Sequence, residues 1–235
     1  AAQLDTMNEV KLILPCHAGD SLSNELIIRE YLAYRMFEEL CPASFRARLV
    51  YLRLTDTGAG SSRNVMAVLV EHEEELVARL GGKPVEDWGV KPERYNQDQV
   101  ALMTVYQYMI GNTDWDLPAF RNILLLQPAG QEKILTIPFD FDFSGFVNAP
   151  YATPNSRTGL ISVRDRFLIN EGLNKNALQN AVATILAARE RLKAMYRQPL
   201  LSAHTRSEIE QFMDVFYKTA ERRKKLPEVL RADAK

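Results

Sequence analysis

Cysteine is scarce. Cys16 and Cys41 are the only two in 235 residues, which excludes a disulfide framework and leaves room for one bridge at most. No apolar run approaches the roughly 18 residues that a membrane span requires. No leader pattern is present either, although the chain starts at Ala1, as a processed or truncated terminus would. An excess of positive charge is also missing. A net charge of -1 excludes the strongly basic domain of a nucleic-acid binder. The short run Arg222-Arg223-Lys224-Lys225 reads as the solvated face of a terminal helix. Cys16 and His17 adjoin, but no second pair stands at ligand spacing, so a zinc site is not expected. His72 and His204 are isolated and read as surface residues. Neither G-x-S-x-G nor G-x-x-x-x-G-K-[ST] occurs.

What is present suits one large domain or two closely packed lobes. Val10 to Leu14 reads as a strand, ended by Pro15, Gly19 and Asp20. Ser21 or Ser23 would cap a helix over Asn24 to Leu40, which Pro42 stops. Arg46 to Thr55 and Asn64 to Glu71 read as strands joined by a Gly- and Ser-rich turn, and Glu71 to Trp88 as a hinge and linker. Asn96 to Ile110 is apolar on most sides, as a central buried helix would be, and Gly111 ends it. Ile123 to Leu126 and Ile134 to Ile137 are short strands around Pro128-Ala129-Gly130. A long loop follows from Gly145 to Arg164, then helices over about Asn174 to Tyr196 and Thr205 to Lys225. The fold class expected is α+β: a small mixed part over residues 1–80 and a mostly helical part over 81–235.

The chemistry concentrates in two acidic segments. Gly111-Asn112-Thr113-Asp114 puts a carboxylate on a loop after a buried helix, where these residue types also serve as plain turn formers. Asn122 precedes one strand of a hairpin, and Asp140 and Asp142 follow the other, so Asn122 should lie near Asp140. The flanks of Asp140-Phe141-Asp142 are apolar (Ile137-Pro138-Phe139 and Phe143), which calls for a metal or another cation beside the carboxylates. An aspartate base with an asparagine and an aspartate as hard oxygen ligands for magnesium is the set that phosphoryl transfer uses. On the earlier helix, Leu26, Glu30, Ala33, Phe37 and Leu40 share one stripe. A carboxylate there wants a cation. Lys11 is one candidate, and a surface salt bridge to Arg29 or Arg35 is the alternative. Glu25 is the fallback partner for Lys11.

The strings GNTDWDLPAFRNILLL and ILTIPFDFDFSGFVNAPYA resemble the catalytic and metal-binding segments of atypical kinase-like proteins, namely CotH-type spore-coat kinases and, more distantly, HipA-type kinases. NELIIREYLAYRMFEEL and SFRARLVYLRL are similar as well, so the resemblance covers about residues 10 to 170. It implies a protein-kinase-like two-lobed fold that binds ATP and magnesium, with manganese able to replace it, and moves the terminal phosphoryl group to a protein hydroxyl. By that resemblance Asp114 would be the base, Asn122, Asp140 and Asp142 the metal ligands, Lys11 the phosphate grip and Glu30 its partner. Val65 to Glu71 would lead to the adenine-binding hinge. Two departures stand out. Asn122 is eight residues after Asp114 rather than five, so Asp116 competes as base. No glycine-rich loop precedes Lys11. A nucleotide-binding module without turnover, AMP transfer on the same scaffold, and a hydrolase built on Asp140 and Asp142 are the competing readings. Around the clusters, Arg164 and Asp165 either anchor the long loop to the acidic residues or begin a helix. Trp115 and Tyr151 either wall a pocket or pack in the core.

Overall fold

The computed structural model describes residues 9–15, 21–170 and 173–222; Cys16, His17 and the basic run beyond Arg222 lie outside them. The chain forms β1 (Val10–Ile13), α1 (Ser21–Leu40), β2 (Ala47–Asp56), β3 (Ser61–Glu71), α2 (Glu73–Leu80), β4 (Gly82–Pro84), α3 (Gln97–Ile110), β5 (Ile123–Pro128), β6 (Leu135–Pro138), α4 (Lys175–Tyr196) and α5 (Ala203–Arg222). It is an α+β protein with two antiparallel three-stranded sheets. The first has the order β1-β3-β2, with Lys11 opposite Val70; the second has the order β4-β5-β6.

Residues 71–88 are not a plain linker. Glu73, Glu74 and Glu75 occupy the first turn of α2 and Arg79 its last, which suits the helix dipole. Leu76 is fully buried beneath it. Lys83 and Pro84 then add β4 to the hairpin edge.

The central helix α3 starts at Asn96, whose side chain accepts from the Gln99 N–H. From Val100 to Ile110 every residue except Leu102 is buried. Helices α1 and α4 pack around this axis within one hydrophobic cluster that includes Phe37, Tyr106, Phe141 and Tyr196. Each large side chain buried there contributes about 1.5–3 kcal/mol.

Gly111 closes α3 in the left-handed region at φ 65°. The carbonyls of Ile110 and Gly111, which a helix end leaves free, accept from Phe146 N (2.9 Å) and Gly145 N (3.1 Å). The two acidic segments are thus bonded to each other through the end of α3. A Cβ on Gly145 would stand 2.3 Å from the Val163 carbonyl oxygen, so only glycine lets the 160s loop lie across this turn.

Candidate active site

The segment after α3 is held residue by residue. Asn112 bonds Gln107 Oε1 through Nδ2 (3.1 Å) and accepts from Asp114 N through Oδ1 (3.0 Å). Thr113 receives both the backbone and side-chain N–H groups of Asn155. Trp115 is buried, so it belongs to the core rather than to a pocket wall. The stretched spacing to Asn122 is absorbed by a closed loop. Asp116 and Arg121 exchange backbone hydrogen bonds (3.1 and 3.0 Å), and Asp116 Oδ1 accepts from Ala119 N. The chain therefore returns to where it left, and Asn122 Nδ2 donates to Asp114 O (2.7 Å) and Asp114 Oδ2 (3.1 Å). Asp116 itself caps that loop and pairs with Arg157 (3.4 Å). Of the two competing aspartates, only Asp114 contacts Asn122 among the described residues.

The hairpin β5–β6 brings Asn122 beside the second acidic segment, as expected. Phe139 N donates to Asn122 O at 3.0 Å. Asn122 (φ 54°) and Asp140 (φ 62°) both sit in the left-handed region, which non-glycine residues seldom occupy. Such strain persists only where surrounding contacts hold it, and it gathers at functional sites. At Asp140 the holding contact is a hydrogen bond from its N–H to the Tyr34 hydroxyl (2.8 Å), which ties it to α1.

Glu30 lies one turn earlier on the same helix and is 4% exposed. The Phe141 N–H bonds its carboxylate, yet Oε1 has no hydrogen-bond partner among the described residues. Burial, then the charges of Asp142 and Asp140, push its pKa up to about 8. Asp142 is raised too, first by burial and then by the Asp140 charge, against hydrogen bonds from the Tyr151 hydroxyl and the Phe143 N–H. The alternative partners foreseen for Glu30 are committed elsewhere: Arg29 to Glu208 and Arg35 to Glu38, each at 2.8 Å. Glu25 is also taken, by Ser202 N and the Thr205 hydroxyl. Lys11 lies near enough for its charge to oppose the rise at Glu30, but no ion pair joins them; its Nζ rests 5.4 Å from the Phe139 ring centroid.

Glu30, Asp140 and Asp142 line one cleft of about 400 Å³, together with Ser23 and Tyr151, which is half exposed and walls it. That volume is within the range of small-molecule sites. Asp114, Asn122 and Lys11 border the acidic group but do not line this cleft. Asp114 is nonetheless close enough for its charge to act on Asp142. Among the described residues, no group of three or more His, Cys, Asp or Glu side chains is placed to hold a metal ion by itself.

Glu71 stands apart from this group. It is buried at the end of β3, with both carboxylate oxygens on Arg79 (2.8 and 2.7 Å) and one also on Arg46 N (3.1 Å). Its side chain anchors α2 and does not reach the cleft.

One further part of the site, the cluster around Glu208, escaped the sequence reading. Glu208 on α5 gathers Arg29 (2.8 Å), Asn148 Nδ2 (3.0 Å) and Arg164 (3.4 Å). Arg29 also donates to Val147 O (3.0 Å), and Arg164 to Gly145 O (2.9 Å). Arg164 therefore anchors the turn after Asp142 rather than the carboxylates, and it begins no helix. No protein-family model matches the chain, and no curated protein is significantly similar to it. No helix among the described residues is long and apolar enough to cross a membrane.

Proposed function

We propose that this protein is an atypical kinase-like phosphotransferase that moves the γ-phosphoryl group of ATP to a protein hydroxyl. The observation that carries the reading is the trio Glu30, Asp140 and Asp142 on one cleft, in which Glu30 is buried with a bare carboxylate oxygen and the two aspartates are half-buried. Buried carboxylates without a counter-charge are costly, and a bound divalent cation removes that cost. Magnesium, or manganese in its place, would supply charge neutralisation at the phosphates when bound.

The side chains have distinct tasks in this scheme. Asp140 and Asp142 offer hard oxygen ligands. Asn122 turns its amide nitrogen to Asp114, so its Oδ1 would be the oxygen it offers a cation. Asp114 would take the proton of the attacking hydroxyl through a carboxylate whose orientation Asn122 and Arg121 hold. Lys11 is exposed on β1 over the Phe139 ring, where a phosphate would find its Nζ. Its strand is followed by the helix that carries Glu30, the chain order in which kinases bring a lysine and a glutamate together. The two parts, residues 1–80 and 81–235, would be the lobes on either side of the nucleotide. Neither the glycine-rich loop nor a hinge role for the Glu71 side chain has support.

A nucleotide-binding module without turnover is the second reading. It is favoured by the engagement of both Asp114 carboxylate oxygens, one by Arg121 and one by Asn122. AMP transfer would use the same groups with the nucleotide reversed.

The test is the thermal midpoint with and without ATP and magnesium, for the parent and for Asp140→Ala. Ligand at about 100 times its Kd adds about 2.7 kcal/mol of stability. No shift in the parent defeats nucleotide binding. A shift without label transfer from γ-labelled ATP to any protein supports the second reading. Full transfer by Asp114→Ala, with loss in Asp116→Ala, would reassign the base.

A further inference from the structure

The loop that absorbs the long spacing between Asp114 and Asn122 carries an unusual surface. Arg121 places Nη1 3.2 Å from Asp114 Oδ1, although its side chain is 58% exposed. Arg157, 83% exposed, reaches Asp116 Oδ2 on the same loop. The 3-10 turn Ser156–Thr158 that carries Arg157 is preceded by Asn155, which is bonded to Thr113, directly before Asp114. Phe120, next to Arg121 in the chain, packs against Trp88, with ring centroids 5.2 Å apart. Trp88 is 75% exposed. The loop that carries the candidate base thus holds two exposed arginines on its aspartates, and Phe120 beside Arg121 packs on an open tryptophan.

Exposed ion pairs of this kind hold weakly. A guanidinium exchanges an internal carboxylate readily for one on a partner, and does so with two parallel hydrogen bonds. An arginine resting on Asp114 also competes with an incoming hydroxyl for the same oxygen. A partner that carries its own carboxylate would relieve both conditions, taking Arg121 for itself and leaving Asp114 Oδ1 for the hydroxyl proton. The exposed Trp88, packed on the Phe120 that adjoins Arg121, offers flat apolar area to the same segment.

From this geometry we infer that the acceptor is an acidic protein segment, with a carboxylate beside the hydroxyl that it presents, and that Arg121 and Arg157 are its specificity-determining residues. The inference rests on the phosphotransferase reading above, but its test does not need turnover. Three fluorescent peptides are compared for binding to the full chain by anisotropy: serine flanked by glutamates, by glutamines and by lysines. The glutamate peptide is expected to bind about tenfold or more tighter than the glutamine peptide, which corresponds to about 1.4 kcal/mol. The advantage should shrink between about 20 mM and about 300 mM salt, as the screening length contracts. Arg121→Glu with Arg157→Glu should reverse the order, with the lysine peptide now preferred. Arg121→Lys with Arg157→Lys should retain the preference for glutamate and weaken it, because the bidentate contact is lost.

Equal binding of the glutamate and glutamine peptides overturns the inference. So does a glutamate preference that survives the double charge reversal. If serine flanked by phosphoserines binds through these arginines and the glutamate peptide does not, the carboxylate assignment is overturned in favour of a phosphorylated segment. Failure of the ATP–magnesium thermal shift sinks the function itself, whereas loss of the charge preference with that shift intact sinks only the acceptor.

Discussion

Asp114 and the Glu30–Asp140–Asp142 trio lie in the same protein and are close enough to feel each other's charge, yet they are built on opposite terms. Asp114 is half-buried, and hydrogen-bond donors of this chain fill both of its carboxylate oxygens. Glu30 is buried, sits among two more carboxylates, and keeps one oxygen bare. The first group is complete as it stands. The second is complete only with a proton or a cation. The contrast separates a group awaiting displacement by a partner from one awaiting neutralisation.

The contrast can be attacked from its largest effect downwards. Arg29→Ala removes the guanidinium that braces the loop behind the trio and leaves Glu208 without its closest partner. A loss of about 3 kcal/mol in unfolding free energy, read by urea denaturation, is expected. Arg29→Ala with Glu208→Ala should cost less than the sum of the two single changes. Additivity there would show that the brace is not a unit.

Asp140→Asn is next. It should abolish the roughly 2.7 kcal/mol that ATP and magnesium add at about 100 times Kd. The unliganded protein should be no less stable than the parent, since one like charge has gone. A variant that keeps the ligand-linked shift would deny the trio its role.

The pH dependence follows in size. The ordinary glutamate value is 4.5, and that of Glu30 in the fold is about 8. Between those values folding takes up a proton. The stability is therefore fully present below the ordinary value and is lost as pH rises toward about 8, by up to about 1.4 kcal/mol per pH unit. Glu30→Gln should flatten this slope in thermal melts across that range. A slope equal to the parent's would mean that Glu30 is already neutralised by some other group.

The smallest effect belongs to the exposed side of the comparison. Arg121→Ala should change stability by less than about 1 kcal/mol, because the pair it forms with Asp114 is open to water. A larger loss would make Arg121 a structural brace rather than a displaceable cover.

Much of this was readable in the chain, for reasons that differ by element. The β5–β6 hairpin was visible as two apolar runs around Pro128-Ala129-Gly130, and it does bring Asn122 to Asp140. Glu30 was visible as the one carboxylate on an apolar stripe of α1. The helix α2 was not, because eight residues with a single fully buried anchor, Leu76, carry too little periodicity to stand out from the charged stretch around them. Strand β4 was hidden for a similar reason: Gly82, Lys83 and Pro84 show no alternation, and only pairing with β5 makes them a strand. By the resemblance, the stretch Val65 to Glu71 would lead to an adenine-binding hinge, which left the Glu71 side chain at the end of β3 without a partner of its own. Its true partner, Arg79, is two turns along a helix that the sequence reading had taken for linker. Glu208 and Arg29 were invisible as a pair because 179 residues separate them and each looks like an ordinary surface charge on its own helix.

That separation has a consequence for how the protein comes into being. Arg29 is made early and Glu208 late, and synthesis runs from the N-terminus. Until α5 has left the ribosome, α1 carries a guanidinium that its surroundings would bury without its carboxylate. The turn behind Asp142 likewise waits for Arg164 and Asn148 to be gathered. A growing chain can form its sheets and its central helix, but the final arrangement of the cleft is postponed until α5 is translated. Nascent chains that stop short of α5 would then lack a finished cleft.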